Sequence, residues 1–75
     1  MNYDILVIAG TSESRKVIED NLEKGCRILA SVATELGRDM LEEYPVDVHV
    51  GRLDTEGFLA LLKENPVKKV IDASH

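Results

Sequence analysis

The reading of this chain turns on "VIAGTSESR", Val7–Arg15. An apolar run ends, one glycine follows, then two hydroxyl residues, then a helical pattern begins. Upstream, "YDILVIA" (Tyr3–Ala9) is an almost unbroken apolar run, as expected of a strand covered on both faces. Downstream, Val17, Ile18 and Leu22 recur on one side at helical spacing, and Gly25 is the stop. A strand-to-helix junction of this kind is a ready place for an anion. Gly10 allows close backbone approach, Thr11 or Ser12 can cap the helix, and the free first-turn N–H groups and helix dipole favour negative charge. Ser14 is small enough for the helix to lie close to the sheet. The plain alternative is an ordinary turn with a Ser/Thr cap, because only one glycine stands where a G-x-G-x-x-G fingerprint has three. Glu13 suits a helix start and can accept a hydrogen bond from a sugar or backbone group, but it is awkward beside a phosphate.

The same alternation continues outward. "RILASVA" (Arg27–Ala33) reads as a second buried strand. "TELGRDMLEEY" reads as a shorter helix with Leu36, Met40 and Leu41 as its apolar residues; Gly37 weakens it and Pro45 ends it. "VDVHV" (Val46–Val50) alternates valine with Asp47 and His49, which places it at a sheet edge with one dry face. "DTEGFLALLKENP" is the clearest helix, with Asp54 as N-cap, Phe58, Leu61 and Leu62 as its stripe, and Pro66 just past its end. "VKKVIDA" (Val67–Ala73) is a fourth strand. Strands alternating with helices mean an α/β fold with a parallel sheet. Right-handed crossovers then favour spatial order 3-2-1-4, a Rossmann-like half with three helices, the first two on one face and the third alone on the other. A fourth strand with no helix after it leaves part of one face bare and an edge unpaired. The expectation is therefore one N-terminal domain, residues 1–75, of a longer protein, with strand 4's edge open to a partner strand or to self-association.

Bulk properties narrow the partners. The net charge is −5 over 75 residues, which disfavours nucleic acid or an anionic membrane as partner. No apolar run approaches a membrane span of about 18 residues, and no secretory pattern opens the chain, so the expected compartment is cytoplasmic. Cys26 is the only cysteine, which excludes an internal disulfide or a thiolate metal cluster; it reads as a small buried residue. His49 has no neighbouring ligand residue and reads as a surface residue, so no metal site is expected. A phosphoacceptor receiver domain is disfavoured because Ile8-Ala9-Gly10 lacks the acidic pair that holds Mg²⁺.

The carboxyl rim carries three more stretches. Strand 2 ends in Ser31-Val32-Ala33-Thr34, hydroxyls where NAD-binding folds usually place an acidic residue for the ribose; such an end tolerates a 2′-phosphate, with Arg38 and Arg52 as nearby cations. The alternative is a cap at Thr34 and two solvated arginines. "GRLD" (Gly51–Asp54) ends strand 3, and "IDASH" (Ile71–His75) ends strand 4 beside strand 1.

With Ala9–Ser14, Ala33–Gly37, Gly51–Asp54 and Ile71–His75 in register, the chain resembles the N-terminal domain of the precorrin-6A and cobalt-precorrin-6A reductases. That family carries G-G-T-S-E-[AG], T-E-Y/L-G, G-R-L-D/G and I-D-A-[ST]-H-P-[FY] at these places. Ala9 and Ser14 depart from the first motif, and both are small. The resemblance covers the whole chain and about the first third of the family. It implies NADPH as cofactor and a tetrapyrrole as substrate, reduced during cobalamin synthesis between two domains. It places Gly10, Thr11, Ser12 and Glu13 at the pyrophosphate and nearby ribose, Ser31 and Thr34 near the adenosine end, Arg52 in the same crevice, and Ser74 and His75 toward the nicotinamide or tetrapyrrole. No catalytic acid or base is assigned to this stretch, because in hydride transfer the cofactor does the chemistry and the protein orients it. Two other readings stay open: a stand-alone nucleotide-binding or regulatory module of the same fold, and a structural domain that binds nothing.

Overall fold

The computed structural model describes residues 2–10 and 12–73; the predicted site residues Thr11, Ser74 and His75 lie outside them. The order is β1 (Ile5–Ala9), α1 (Glu13–Glu23), β2 (Ile28–Val32), α2 (Glu35–Met40), β3 (Asp47–Val50), α3 (Thr55–Glu64) and β4 (Lys69–Ala73). All pairings are parallel and the sheet runs β3-β2-β1-β4, as the alternation predicts. Ile5 pairs with Ile28 and with Lys69, so β2, β1 and β4 start level, while β3 enters one residue later, with Leu29 opposite Asp47.

This register sorts side chains onto two faces, because successive residues of a strand point opposite ways. Ile5, Val7, Ala9, Ile28, Ala30 and Val32 share one face and form a single buried cluster with Ile18 of α1 and Leu41 at the end of α2. Leu6 and Leu29 are buried on the other face, the side α3 must cross to return from the β3 edge to β4. Cover there is uneven. Val70 sits beside Leu6 in the sheet, yet it is 40% exposed while Leu6 is fully buried. β3 is an edge strand as read: Val46, Val48 and Val50 are half-buried against the core cluster, and Asp47 is exposed.

The ends of the helices follow local chemistry. α1 closes with a Schellman arrangement: the Gly25 N–H donates to Leu22 O (2.9 Å) and the Cys26 N–H to Asn21 O (3.1 Å), with Gly25 at φ +79°. α3 begins at Asp54, whose Oδ1 accepts from the Gly57 N–H at 2.7 Å. The second helix is shorter than its sequence pattern suggests and turns a different side to the sheet. It stops at Met40, and only Leu41 is buried; Leu36 is 70% and Met40 49% exposed. The cause is Gly37. A Cβ there would lie 3.0 Å from Val32 Cβ, so the helix approaches β2 along the Gly37–Leu41 line and turns Leu36 and Met40 outward. None of the described helices is long and apolar enough to cross a membrane.

Candidate functional site

The direction of chain growth reverses between β1 and its two neighbours, and Gly10 follows β1 at that point. Open parallel sheets bind ligands at such a reversal, outside the carboxyl ends of the strands. Two clefts meet there. One, of about 300 Å³, lies on the α1 and α2 side and takes in Ser12, Ser14, Arg15, Thr34, Leu36 and Met40. The other, of about 570 Å³, lies toward α3, and its lining includes Ile8, Ser31, Arg52, Asp54, Thr55 and Phe58. Ala9, Gly10, Val32 and Ala33 line both and form the saddle between them.

The candidate residues therefore divide. Gly10 lies on the saddle; Ser12 and Thr34 belong to the smaller cleft, Ser31 and Arg52 to the larger. Ser31 and Thr34 part because a strand alternates its faces. Ser31 stands opposite Ile8 on the α3 side and is buried, whereas Thr34 lies past the strand end. Glu13 is exposed at the first position of α1, where its charge matches the helix dipole. Arg52 is exposed and faces the larger cleft. Arg38 does not join it: it stands on α2, 3.8 Å from Glu35, beside a separate hollow that includes Asp39, Glu42 and Asp47.

The hydroxyls differ in what they already do. Thr34 caps α2, its Oγ1 accepting from the Gly37 N–H at 3.3 Å, so the capping alternative is realised there and the hydroxyl proton remains to donate. Ser12 does not cap. Its backbone is already helical (φ −62°, ψ −25°) and its side chain makes no cap hydrogen bond, which corrects the expectation that it could serve as cap. Asp54 caps its own helix through Oδ1 and also lines the larger cleft, so that loop brings one cation, Arg52, and one carboxylate, Asp54, to it. Among the described residues, no three His, Cys, Asp or Glu side chains gather as a metal site.

Sequence reasoning missed Arg15. It is half-buried, lines the smaller cleft, and is held from two sides. Its Nε donates to the Tyr44 hydroxyl at 3.3 Å, its Nη2 pairs with Glu43, and its guanidinium lies 5.8 Å from the Tyr44 ring centroid. The Tyr44 hydroxyl in turn donates to Glu19 Oε2 at 2.5 Å. These contacts raise the Arg15 pKa, with Tyr44 and then Glu43 accepting from the cation. The Tyr44 phenol is held above its ordinary value chiefly by its bond to Glu19, with Arg15 pulling the other way. A signal existed: Arg15 and Glu19 stand four apart on one helix face, a spacing that lets one partner side chain meet both.

Residues 4–75 match the family described as precorrin-6x reductase CbiJ/CobK. The chain belongs to that family. Curated relatives include a cobalt-precorrin-6A reductase of Salmonella typhimurium, 38% identical over 72 residues, which span 96% of this chain and 27% of the relative. One of Priestia megaterium is 35% identical over 71 residues, 95% of this chain and 28% of the relative. One of Synechocystis is 32% identical over 75 residues, again 28% of the relative. The chain thus spans little more than a quarter of the length of the relatives it matches. No solved structure matches it.

Proposed function

We propose that this chain is the N-terminal, NADPH-binding domain of a precorrin-6A or cobalt-precorrin-6A reductase, a two-domain enzyme of cobalamin biosynthesis. Membership of the family supports the reaction class. The observation that carries the cofactor assignment is the position of Gly10: it leads from β1 into α1 at the reversal of the sheet, on a saddle between two clefts.

The residues present fit a dinucleotide that carries a 2′-phosphate. Gly10 brings backbone close to a pyrophosphate with no Cβ in the way. Ser12 offers a hydroxyl that caps nothing, at the positive end of α1. No carboxylate stands at the end of β2 before Glu35, where NAD-binding folds place one for the ribose; the carboxylate of this cleft is Asp54, whose Oδ1 is engaged by the Gly57 N–H. Arg52 is an exposed cation on the cleft shared with Ser31, suited to that phosphate. Thr34 keeps a proton to donate on the other side of the saddle. When bound, NADPH supplies the hydride; the part of this chain is to bind and orient it. Thr11 joins this set by its place in the turn, and Ser74 and His75, next after Ala73 of β4, face the nicotinamide or the tetrapyrrole in this reading.

Titration of NADPH and NADH against the full-length protein tests the proposal. Selective binding of NADPH, abolished by Gly10→Val, is the expected result. Equal affinity of the variant rejects the pyrophosphate assignment, and adenine-nucleotide binding without preference for the 2′-phosphate favours a regulatory module instead.

A further inference from the structure

The Arg15 cluster lies at one end of the site and is not explained by ligand contact alone. We propose that Arg15 is a positioning residue. Through Tyr44 and Glu43 it ties the first turn of α1 to the connection between α2 and β3, and so sets where Ser12, at the head of α1, presents its donors. The proposal rests on the dinucleotide reading above and adds to it the device that holds the binding turn in place.

Three observations carry it. First, Arg15 is joined to the turn by backbone: its N–H donates to Ser12 O at 3.3 Å, closing the first turn of α1. Any shift of Arg15 is passed to Ser12 and to the saddle. Second, the turn lacks a cap from Ser12, so an outside anchor matters more there than at α2 or α3, where Thr34 and Asp54 cap. Third, the anchor is two-pronged. The planar guanidinium is engaged at Nε by Tyr44 and at Nη2 by Glu43, and Tyr44 reaches a second residue of the same helix, Glu19. Two prongs on one rigid fork fix orientation, which a single point charge does not. Glu43 and Tyr44 line neither cleft, so their effect on a bound ligand must pass through α1, from Glu43 by way of Arg15 and from Tyr44 by way of Arg15 and Glu19. All these groups are partly exposed, and such pairs add little to global stability. Their function is local.

The test uses Glu43→Gln, Tyr44→Phe and the double variant of the full-length protein, with NADPH and NADH titrated well below the unfolding temperature. Positioning predicts that both affinities fall together, by about three- to tenfold in the double variant. It also predicts faster hydrogen exchange at the Arg15 and Lys16 amides, with the overall melting curve little moved. Arg15→Lys keeps the charge but not the fork, and is expected to bind as weakly as the double variant. Variants that bind within twofold of wild type refute the positioning role while leaving the NADPH assignment intact. Weaker binding with unaltered exchange at those amides also refutes it. Tighter binding by Glu43→Gln shows instead that Glu43 competes with the ligand for the Arg15 charge, and full affinity in Arg15→Lys shows that charge alone suffices. Failure of wild type to bind either nucleotide removes the functional reading itself, and this inference with it.

Discussion

Gly37→Ala gives the most direct test of how α2 meets the sheet. A Cβ at position 37 would stand 3.0 Å from Val32 Cβ and 3.4 Å from Val32 Cγ1. Unstrained carbon contacts lie at about 3.5–4.0 Å, so the two backbones must part by several tenths of an ångström. Rotation about χ1 of Val32 does not help, because its Cβ is the nearest atom. Nor does β2 yield easily: Val32 is 4% exposed and its carbonyl accepts from the Gly51 N–H at 2.8 Å. α2 must therefore lift, against the Thr34 cap at one end and buried Leu41 at the other. Overpacking of this kind costs about 1–3 kcal/mol. Alanine in place of a helical glycine returns about 1 kcal/mol through propensity. The net expectation is a loss of about 1 kcal/mol, read as a lower urea midpoint with an unchanged m-value, or a melting temperature roughly 4–8 °C lower. The same lift widens the smaller cleft, so NADPH affinity is expected to fall as well. A variant as stable as wild type, or more stable, refutes the packing argument, because propensity alone predicts a gain.

Other changes separate the remaining contributions. Arg52→Ala should weaken NADPH binding about tenfold or more while leaving NADH nearly unchanged, since a phosphate-specific charge pair is lost; equal losses for both nucleotides would contradict the 2′-phosphate role. Asp54→Ala removes the cap of α3 and should cost about 0.5–2 kcal/mol in urea unfolding, with Asp54→Asn costing much less. Acid sensitivity should depend on Asp4. Its carboxylate accepts from the Arg27 N–H at 2.8 Å and lies 3.5 Å from Lys68, and its pKa is lowered, first by the backbone bond and secondarily by the charge of Lys68. A lowered carboxyl stabilises the fold above its unfolded pKa, and that contribution is lost as pH falls through the folded value. Asp4→Asn should therefore flatten the acid limb of a stability–pH profile while leaving its alkaline limb unchanged.

Much of the architecture was legible because it rests on local periodicity. Continuous apolar runs marked β1 and β2, and alternation marked β3 as an edge. Asp54 and Thr34 were readable as caps because a cap needs only its own side chain and the next turn of backbone. The apolar residues of α2 were misread for a physical reason. Leu36, Met40 and Leu41 have helical spacing, but a glycine that permits close approach decided which side faces the sheet, and spacing does not weigh that. Arg15 was overlooked because its partners come from a segment 28 and 29 residues away.

The sequence by itself determined the strand and helix order, the glycine–hydroxyl junction after β1, and the lack of an acidic residue at the end of β2. Each depends on residue type and on neighbours within a turn or two. Only the tertiary structure decided that Ser31 and Arg52 share one cleft while Ser12, Arg15 and Thr34 share another, and that Arg38 joins neither. Those groupings follow from strand register and crossover direction, which bring distant segments onto one face and send adjacent residues to opposite ones.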